Sequence, residues 1–432
     1  MKYSLTPRRS LLLFFLLALG IALYYVVSDQ PLDEASPESV GMSTDRLQRI
    51  DTVMKEYVEK QLYPGAVVLV MRHGKLVYHK SFGYNDLERK VRLPKDAIVR
   101  IASMSKAITS TAVMMLHEEG KFLLDDPVSK YIPAFKQPKV LDTFNAADTT
   151  YTTVPASREI TIRDLLTHTS GLSYPEIGRV EAIAIYAKHD IPSGIGTPHY
   201  KLKDVINRLA TLPLMHQPGK RFTYGLNTDV LGFLVEVVSG KPLDQFMRER
   251  IFEPLGMKDT GFYLAEDKAS RLSTLFAEYD EGGTTLAETG YGFYPNFPLE
   301  KSTYYSGGAG LVSTAYDYAI FLQMILNGGE FNGKRVLGPV TVKLMTSNQI
   351  GDMNLIYKKF GLGFSIATER EAVRLPPSAG SLDWNGIYGT TFWADPEQGI
   401  VAVMMTQKYP NPYVDLGEKF RVLVYQAITQ LD

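Results

Sequence analysis

The strand-patterned stretches of this sequence lie at its two ends, with a long helical region between them. That order limits the folds open to the chain. Ala66–Met71 and Leu76–Phe82 are short apolar runs flanking His73-Gly74-Lys75, the pattern of a hairpin. Ala97–Ile101 reads as a further short strand. The strand pattern then returns only after Phe360, in Gly361–Ile366, Ile387–Ala394 and Ile400–Thr406, with a turn at Asp395–Gly399. One sheet assembled from both chain ends, with a helical domain inserted between them, satisfies this order. Ser43 or Thr44 can cap a first helix, whose apolar Leu47, Ile50, Met54, Tyr57 and Val58 fall near helical spacing. Met104–Glu119 is apolar on almost every side, as a central buried helix would be. Thr228–Ser239 and Tyr316–Asn327 are the clearest helices of the middle region, and Glu418–Leu431 closes the chain as an amphipathic helix. Residues 138–160 are polar and Thr-rich and read as loop.

Composition removes several function classes. With 46 Lys+Arg against 47 Asp+Glu, the net charge of −1 gives no basic excess for nucleic acid. The absence of cysteine excludes a disulfide framework, a Cys–zinc site, an iron–sulfur cluster and a Cys nucleophile. A chain of 432 residues, 45% hydrophobic, buries a large core without such staples. The seven histidines include no His-x-His or His-Glu-x-x-His, so neither a metal nor another cofactor is expected. No Gly-x-Ser-x-Gly elbow is present, which argues against an α/β-hydrolase. Gly307–Gly310 lacks the Lys-Ser/Thr of a phosphate loop and reads as a turn feeding the Leu311–Asn327 helix.

Residues 1–28 are expected to stand apart from the fold. Lys2, Arg8 and Arg9 precede Leu11–Val27, a mostly apolar run without formal charge, which reads as a signal peptide or N-terminal membrane anchor. The run is longer than most signal-peptide cores and slightly short of a full span. Cleavage after Gly20 would expose Ile21–Val27, whereas cleavage after Ser28 is chemically acceptable. The pattern leans towards an uncleaved anchor. Positive-inside bias then places residues 29–432 outside the cytoplasm, in a periplasmic or other extracytoplasmic position, with the membrane as partner.

The chemistry begins at Ser103-Met104-Ser105-Lys106, the one Ser-x-x-Lys in the chain. It sits where a predicted strand ends and the buried helix begins. Positions i and i+3 share a helix face, so Lys106 can reach the Ser103 hydroxyl. A helix N-terminus offers backbone N–H groups and a favourable dipole for a developing oxyanion. A buried lysine can take the serine proton. On the motif alone, a capping serine with a solvated lysine is an equal alternative.

Wider context narrows the choice. Ser103–Lys106, followed by Leu124-Asp125-Asp126-Pro127-Val128 and Tyr131-Ile132-Pro133, resembles the serine β-lactamase and penicillin-binding-protein superfamily. Ile160-Thr161-Ile162-Arg163-Asp164-Leu165-Leu166-Thr167-His168-Thr169-Ser170-Gly171-Leu172 resembles its class C-like branch. So do Gln217-Pro218-Gly219, Phe222-Thr223-Tyr224-Gly225-Leu226, Asp229-Val230-Leu231-Gly232, Pro254-Leu255-Gly256-Met257 and Gly307-Gly308-Ala309-Gly310-Leu311. The resemblance spans about residues 38–430. It implies an α/β (α+β), β-lactamase/transpeptidase-like fold, an antiparallel sheet flanked by helices plus an inserted, mainly helical domain. The sheet part is expected at about 38–101 and 355–430, the helical part at about 102–354, and the site in the cleft between them.

The resemblance also implies roles. Tyr224 would be the general base, with Lys106 nearby to stabilise its phenolate. Tyr294-Pro295-Asn296 and Tyr409-Pro410-Asn411 also satisfy Tyr-x-Asn but look like Pro-containing loops. After Tyr224 the pattern departs from the lactamases: Leu226 holds the Asn position and Asn227 comes one residue late. Lactamases usually carry Lys-Thr-Gly where this chain has Trp384-Asn385-Gly386. Trp-x-Gly resembles the family VIII carboxylesterases, and its tryptophan removes the cationic handle for a substrate carboxylate. Trp384, Asn385 and Gly386 would contact substrate, Gly386 letting it lie close to the strand. The backbone N–H groups of Ser103 and Ile387 would form the oxyanion hole. His168 matches a structural family segment, so a Ser-His triad is not expected.

The expected function is a serine hydrolase that forms an acyl-enzyme and hydrolyses small carboxylic esters. Two alternatives stay open. One is a β-lactamase, D,D-peptidase or D-aminopeptidase acting on cell-wall-type amides. The other is a non-hydrolytic penicillin sensor or assembly protein.

Overall fold

The computed structural model describes residues 32–196, 199–278, 284–287, 294–353 and 355–431. The signal or anchor expected over residues 1–28 lies outside them. Among the described residues, no helix is long and apolar enough to cross a membrane.

An eight-stranded sheet joins the two chain ends, as the order of strand patterns predicts. Three strands come from the N-terminal part: β1 (Gly65–Arg72), β2 (Lys75–Asp86) and β3 (Val91–Arg92). Five come from the C-terminal part: β4 (Lys358–Phe360), β5 (Ser365–Ala367), β6 (Leu382–Asn385), β7 (Thr391–Asp395) and β8 (Ile400–Met405). Their order is β4-β5-β6-β7-β8-β1-β2-β3, and each neighbouring pair is antiparallel. The hairpin turn is His73-Gly74, both with positive φ, as a tight two-residue connection requires.

Every residue of β1 is buried, because both sheet faces are covered. Alternation splits the strand between two cores. Val68 and Val70 face α1 (Thr44–Glu59) and the C-terminal helix Asp415–Tyr425, where they meet Ile50, Met54, Phe420 and Val424. Val67, Leu69 and Met71 face the larger core, built on α2 (Ser105–Glu118), α3 (Asn227–Ser239) and α4 (Ala315–Leu326). Ser43 caps α1 by accepting the Arg46 N–H. Residues Ser105–Leu116 of α2 are all buried, which accounts for its all-round apolarity.

Several expectations are corrected. Residues 138–160 contain a β-hairpin, Lys139–Asn145 paired with Thr150–Pro155, with a Thr143–Thr152 hydroxyl bond of 2.7 Å across it. Threonine is itself a strand former, so polarity there marks exposure and not loop. The strand expected at Ala97–Ile101 is only Val99–Arg100, and it pairs with Val312–Ser313 outside the main sheet. Gly361–Phe364 is the turn between β4 and β5, and the closing helix ends at Tyr425. β7 starts at Thr391, not Ile387, so residues 386–390 form the turn after β6. Helix α4 packs on β1, β7 and β8 and so belongs to the sheet layer, although the sequence division puts it in the helical part.

Candidate active site

Ser103 sits in a single 3₁₀ turn, Ala102–Met104, which runs directly into α2. The residue before it, Ala102, is held at φ 43°, a left-handed conformation that costs a non-glycine residue energy. This turn lifts the Ser103 hydroxyl off the helix axis into a cleft of about 240 Å³. One turn along, Lys106 is 2% exposed. Its ammonium donates to Ser103 Oγ at 3.1 Å, Tyr174 OH at 2.9 Å and the Gly308 carbonyl at 2.7 Å. Three donors meet three acceptors, which removes the reading of Lys106 as a solvated surface cation.

Tyr224 lies 121 residues from Ser103, yet its hydroxyl is 2.6 Å from Ser103 Oγ. The Lys106 ammonium is 4.6 Å from the centroid of the same ring. Local sequence explains the placement. A Cβ on Gly225 would come within 2.5 Å of the Leu172 carbonyl, so glycine lets the Tyr224 segment lie flat against Leu172-Ser173. Tyr174 follows at once, and the two tyrosine rings stand 5.2 Å apart. The ring of Tyr224 also packs, tilted, against His168 at 5.0 Å and Trp384 at 5.5 Å.

The remaining expected residues divide by position. Trp384, Asn385 and Ile387 line the cleft with Ser103 and Tyr224. Gly386 does not line it. A Cβ there would meet the Ile101 carbonyl at 2.5 Å and Thr390 Oγ1 at 2.3 Å, so this glycine brings the turn onto the backbone that leads into Ser103. Close approach to protein backbone is what the position requires. It sets the Ile387 amide, which has no backbone acceptor among the described residues, beside the segment that leads into Ser103. His168 is buried, with Nδ1 at 3.0 Å from the Asn227 amide. Burial, and then the Lys106 charge, hold its pKa well below the usual histidine value, so the ring is neutral and buttresses Tyr224. Leu226 and Asn227 are both fully buried, and Asn227 accepts from Ser170, so neither offers an amide to the cleft. Tyr409 lines the cleft, whereas Tyr294 donates to Glu300 on an exposed loop.

Three participants escaped the sequence reading: Tyr174, the Gly308 carbonyl and Asp229. Asp229 is buried on α3, where its carboxylate accepts from Ser306 Oγ at 2.6 Å. Desolvation pushes its pKa up to about 6, against the opposing pull of Ser306 and the Lys106 ammonium. A carboxyl raised in the fold holds a proton that the unfolded chain has lost. Its contribution to stability therefore falls as pH rises between the unfolded value and about 6, and stays low above that. Asn at this position does not titrate. Asp229→Asn should gain thermal stability relative to the native chain on going from pH 4 to pH 8, by at most about 3 kcal/mol. Melting curves of both proteins at the two pH values check this, and parallel pH dependences would refute it.

The sequence model of the Beta-lactamase family matches residues 50–426. The chain is 36% identical over 377 residues to Protein Rv1367c of Mycobacterium tuberculosis (strain ATCC 25618 / H37Rv), an alignment covering 84% of this chain and 90% of the relative. It is 30% identical over 371 residues to esterase EstB of Burkholderia gladioli, covering 83% and 89%. Among solved structures, EstCE1, described as a hydrolase with promiscuous acyltransferase activity, matches with a TM-score of 0.76 at 29% identity, over 88% of this chain and 99% of that one.

Proposed function

The chain belongs to the beta-lactamase family of serine hydrolases, and on that premise we propose that it hydrolyses small carboxylic esters through an acyl-enzyme on Ser103. The observation that carries the proposal is the Ser103 hydroxyl, bonded at once to Lys106 and Tyr224 and opening into a largely apolar cleft. Tyr224, as general base beside the Lys106 ammonium, takes the Ser103 proton as Oγ attacks the ester carbonyl. The Ser103 and Ile387 amides receive the oxyanion. The proton passes from Tyr224 to the departing alkoxide, which leaves as the alcohol. Water then loses a proton to Tyr224 as its oxygen attacks the acyl carbonyl; the Oγ–acyl bond breaks, the acid leaves, and Tyr224 returns the proton to Ser103 Oγ.

Ester selectivity rests on what lines the cleft. Trp384 occupies the place of a carboxylate-binding lysine, and among the described residues no Lys or Arg side chain lines the wall. A β-lactam or peptide carboxylate would enter without a counter-ion, at a desolvation cost. EstB is an esterase by name, which agrees with this reading. Activity outside the cytoplasm, with residues 1–28 as signal or anchor, is part of the same proposal.

The test compares turnover of p-nitrophenyl butyrate and nitrocefin by the full chain. Faster butyrate turnover, by about 100-fold or more in kcat/KM, is expected, since absent charge recognition costs roughly 3 kcal/mol. Efficient nitrocefin turnover with negligible ester hydrolysis would overturn the ester reading in favour of a lactamase.

A further inference from the structure

Glu176 is the one formally charged side chain, among the described residues, that lines the Ser103 cleft. We propose that this carboxylate recognises a cationic group on the substrate, so that the preferred esters carry an alkylammonium a few bonds from the scissile carbonyl. The inference rests on the acyl-hydrolase reading and names its substrate class.

Three observations support it. First, Glu176 is fixed near the chemistry, two residues after Tyr174, whose hydroxyl accepts from Lys106. Second, it makes no ion pair among the described residues; its side-chain partner is the Ser193 hydroxyl, also on the cleft wall. Crowding by surrounding protein pushes the carboxyl up to about 7, and an entering cation would favour its ionised form. Third, the other walls are the wrong surface for an anion and the right one for a soft cation. Tyr174, Tyr224, Trp384 and Tyr409 present aromatic rings, and Ile177 and Ile195 present aliphatic surface. Aromatic faces attract alkylammonium groups by their quadrupoles, and one desolvated carboxylate among them completes the recognition chemistry. The same carboxylate repels a substrate anion.

The experiment measures kcat/KM of the full chain for three p-nitrophenyl esters of matched length: butyrate, 4-(trimethylammonio)butyrate and hemisuccinate. A cationic-to-anionic preference of about 100-fold is expected, with the neutral ester between. Glu176→Gln should shrink that ratio to within about threefold. Equal rates on the cationic and anionic esters, or a preference retained in Glu176→Gln, would overturn the inference. Labelling rates with neutral and trimethylammonium-bearing fluorophosphonates read the same preference without turnover. A cationic preference in labelling, lost in Glu176→Gln, with no ester hydrolysed, would sink the ester reading and leave the cation site standing. No preference in labelling would sink the cation site even where esters are turned over.

Discussion

Ser103→Ala should abolish fluorophosphonate labelling of the intact chain and lower p-nitrophenyl butyrate turnover by about 10⁴-fold or more. Among the described residues, no second serine is positioned to replace it. Ser105 Oγ accepts from the Leu311 N–H on the far side of the turn and is fully buried. Ser193, although in the cleft, has no lysine or tyrosine contact of the kind that Ser103 makes. The substitution removes one oxygen from a half-buried position and leaves the packing of α2 untouched, so the variant should fold and melt within about 1 kcal/mol of the native chain. Intact-mass spectrometry of both proteins after labelling is the direct measurement. An equal adduct in Ser103→Ala would mean that another residue is the nucleophile, and the mechanism above would fall with it.

How much of this site was legible in sequence follows from how local each contact is. Ser103 and Lys106 are three residues apart on one helix, and their bond follows from helical periodicity alone. Tyr224 could be chosen among 26 tyrosines only through the resemblance of its surrounding motif, since its contact with Ser103 spans 121 residues. Tyr174 and Gly308 complete the Lys106 shell from 68 and 202 residues away. Neither carries a periodic or motif signal that says what it touches. Gly308 was visible only as part of a glycine-rich turn, because a backbone carbonyl leaves no mark on residue identity. The fold shows the same contrast. Runs such as Val67–Met71 declare a strand through their apolarity, whereas the Thr-rich hairpin near residue 143 is largely exposed, with Val140 its one fully buried residue, and so shows little apolar alternation. Trp384 was expected on the strand entering Ile387–Ala394, but it lies on a separate strand, β6, whose end depends on the approach of Gly386 to Ile101, a contact across 285 residues that no local pattern encodes.

The two cleft tyrosines should part company under the same substitution. Tyr224→Phe is expected to lower kcat by about 10³-fold, within the range that a positioned general base supplies. Tyr174→Phe is expected to lower it by about tenfold, the lower end of what one hydrogen bond to a charged group is worth. The asymmetry comes from what each hydroxyl touches. Tyr224 OH is 2.6 Å from Ser103 Oγ, so its loss removes the group proposed to take the Ser103 proton. Among the described residues, Tyr174 OH is hydrogen-bonded to Lys106, which keeps Gly308 and Ser103 as acceptors. Phenylalanine preserves both rings and therefore the tilted ring contacts of Tyr224 with His168 and Trp384, so a folding defect should not confuse the comparison. Steady-state kinetics on p-nitrophenyl butyrate measures both effects. Equal losses in the two variants would show that the base is Lys106 alone, with Tyr224 in a packing role.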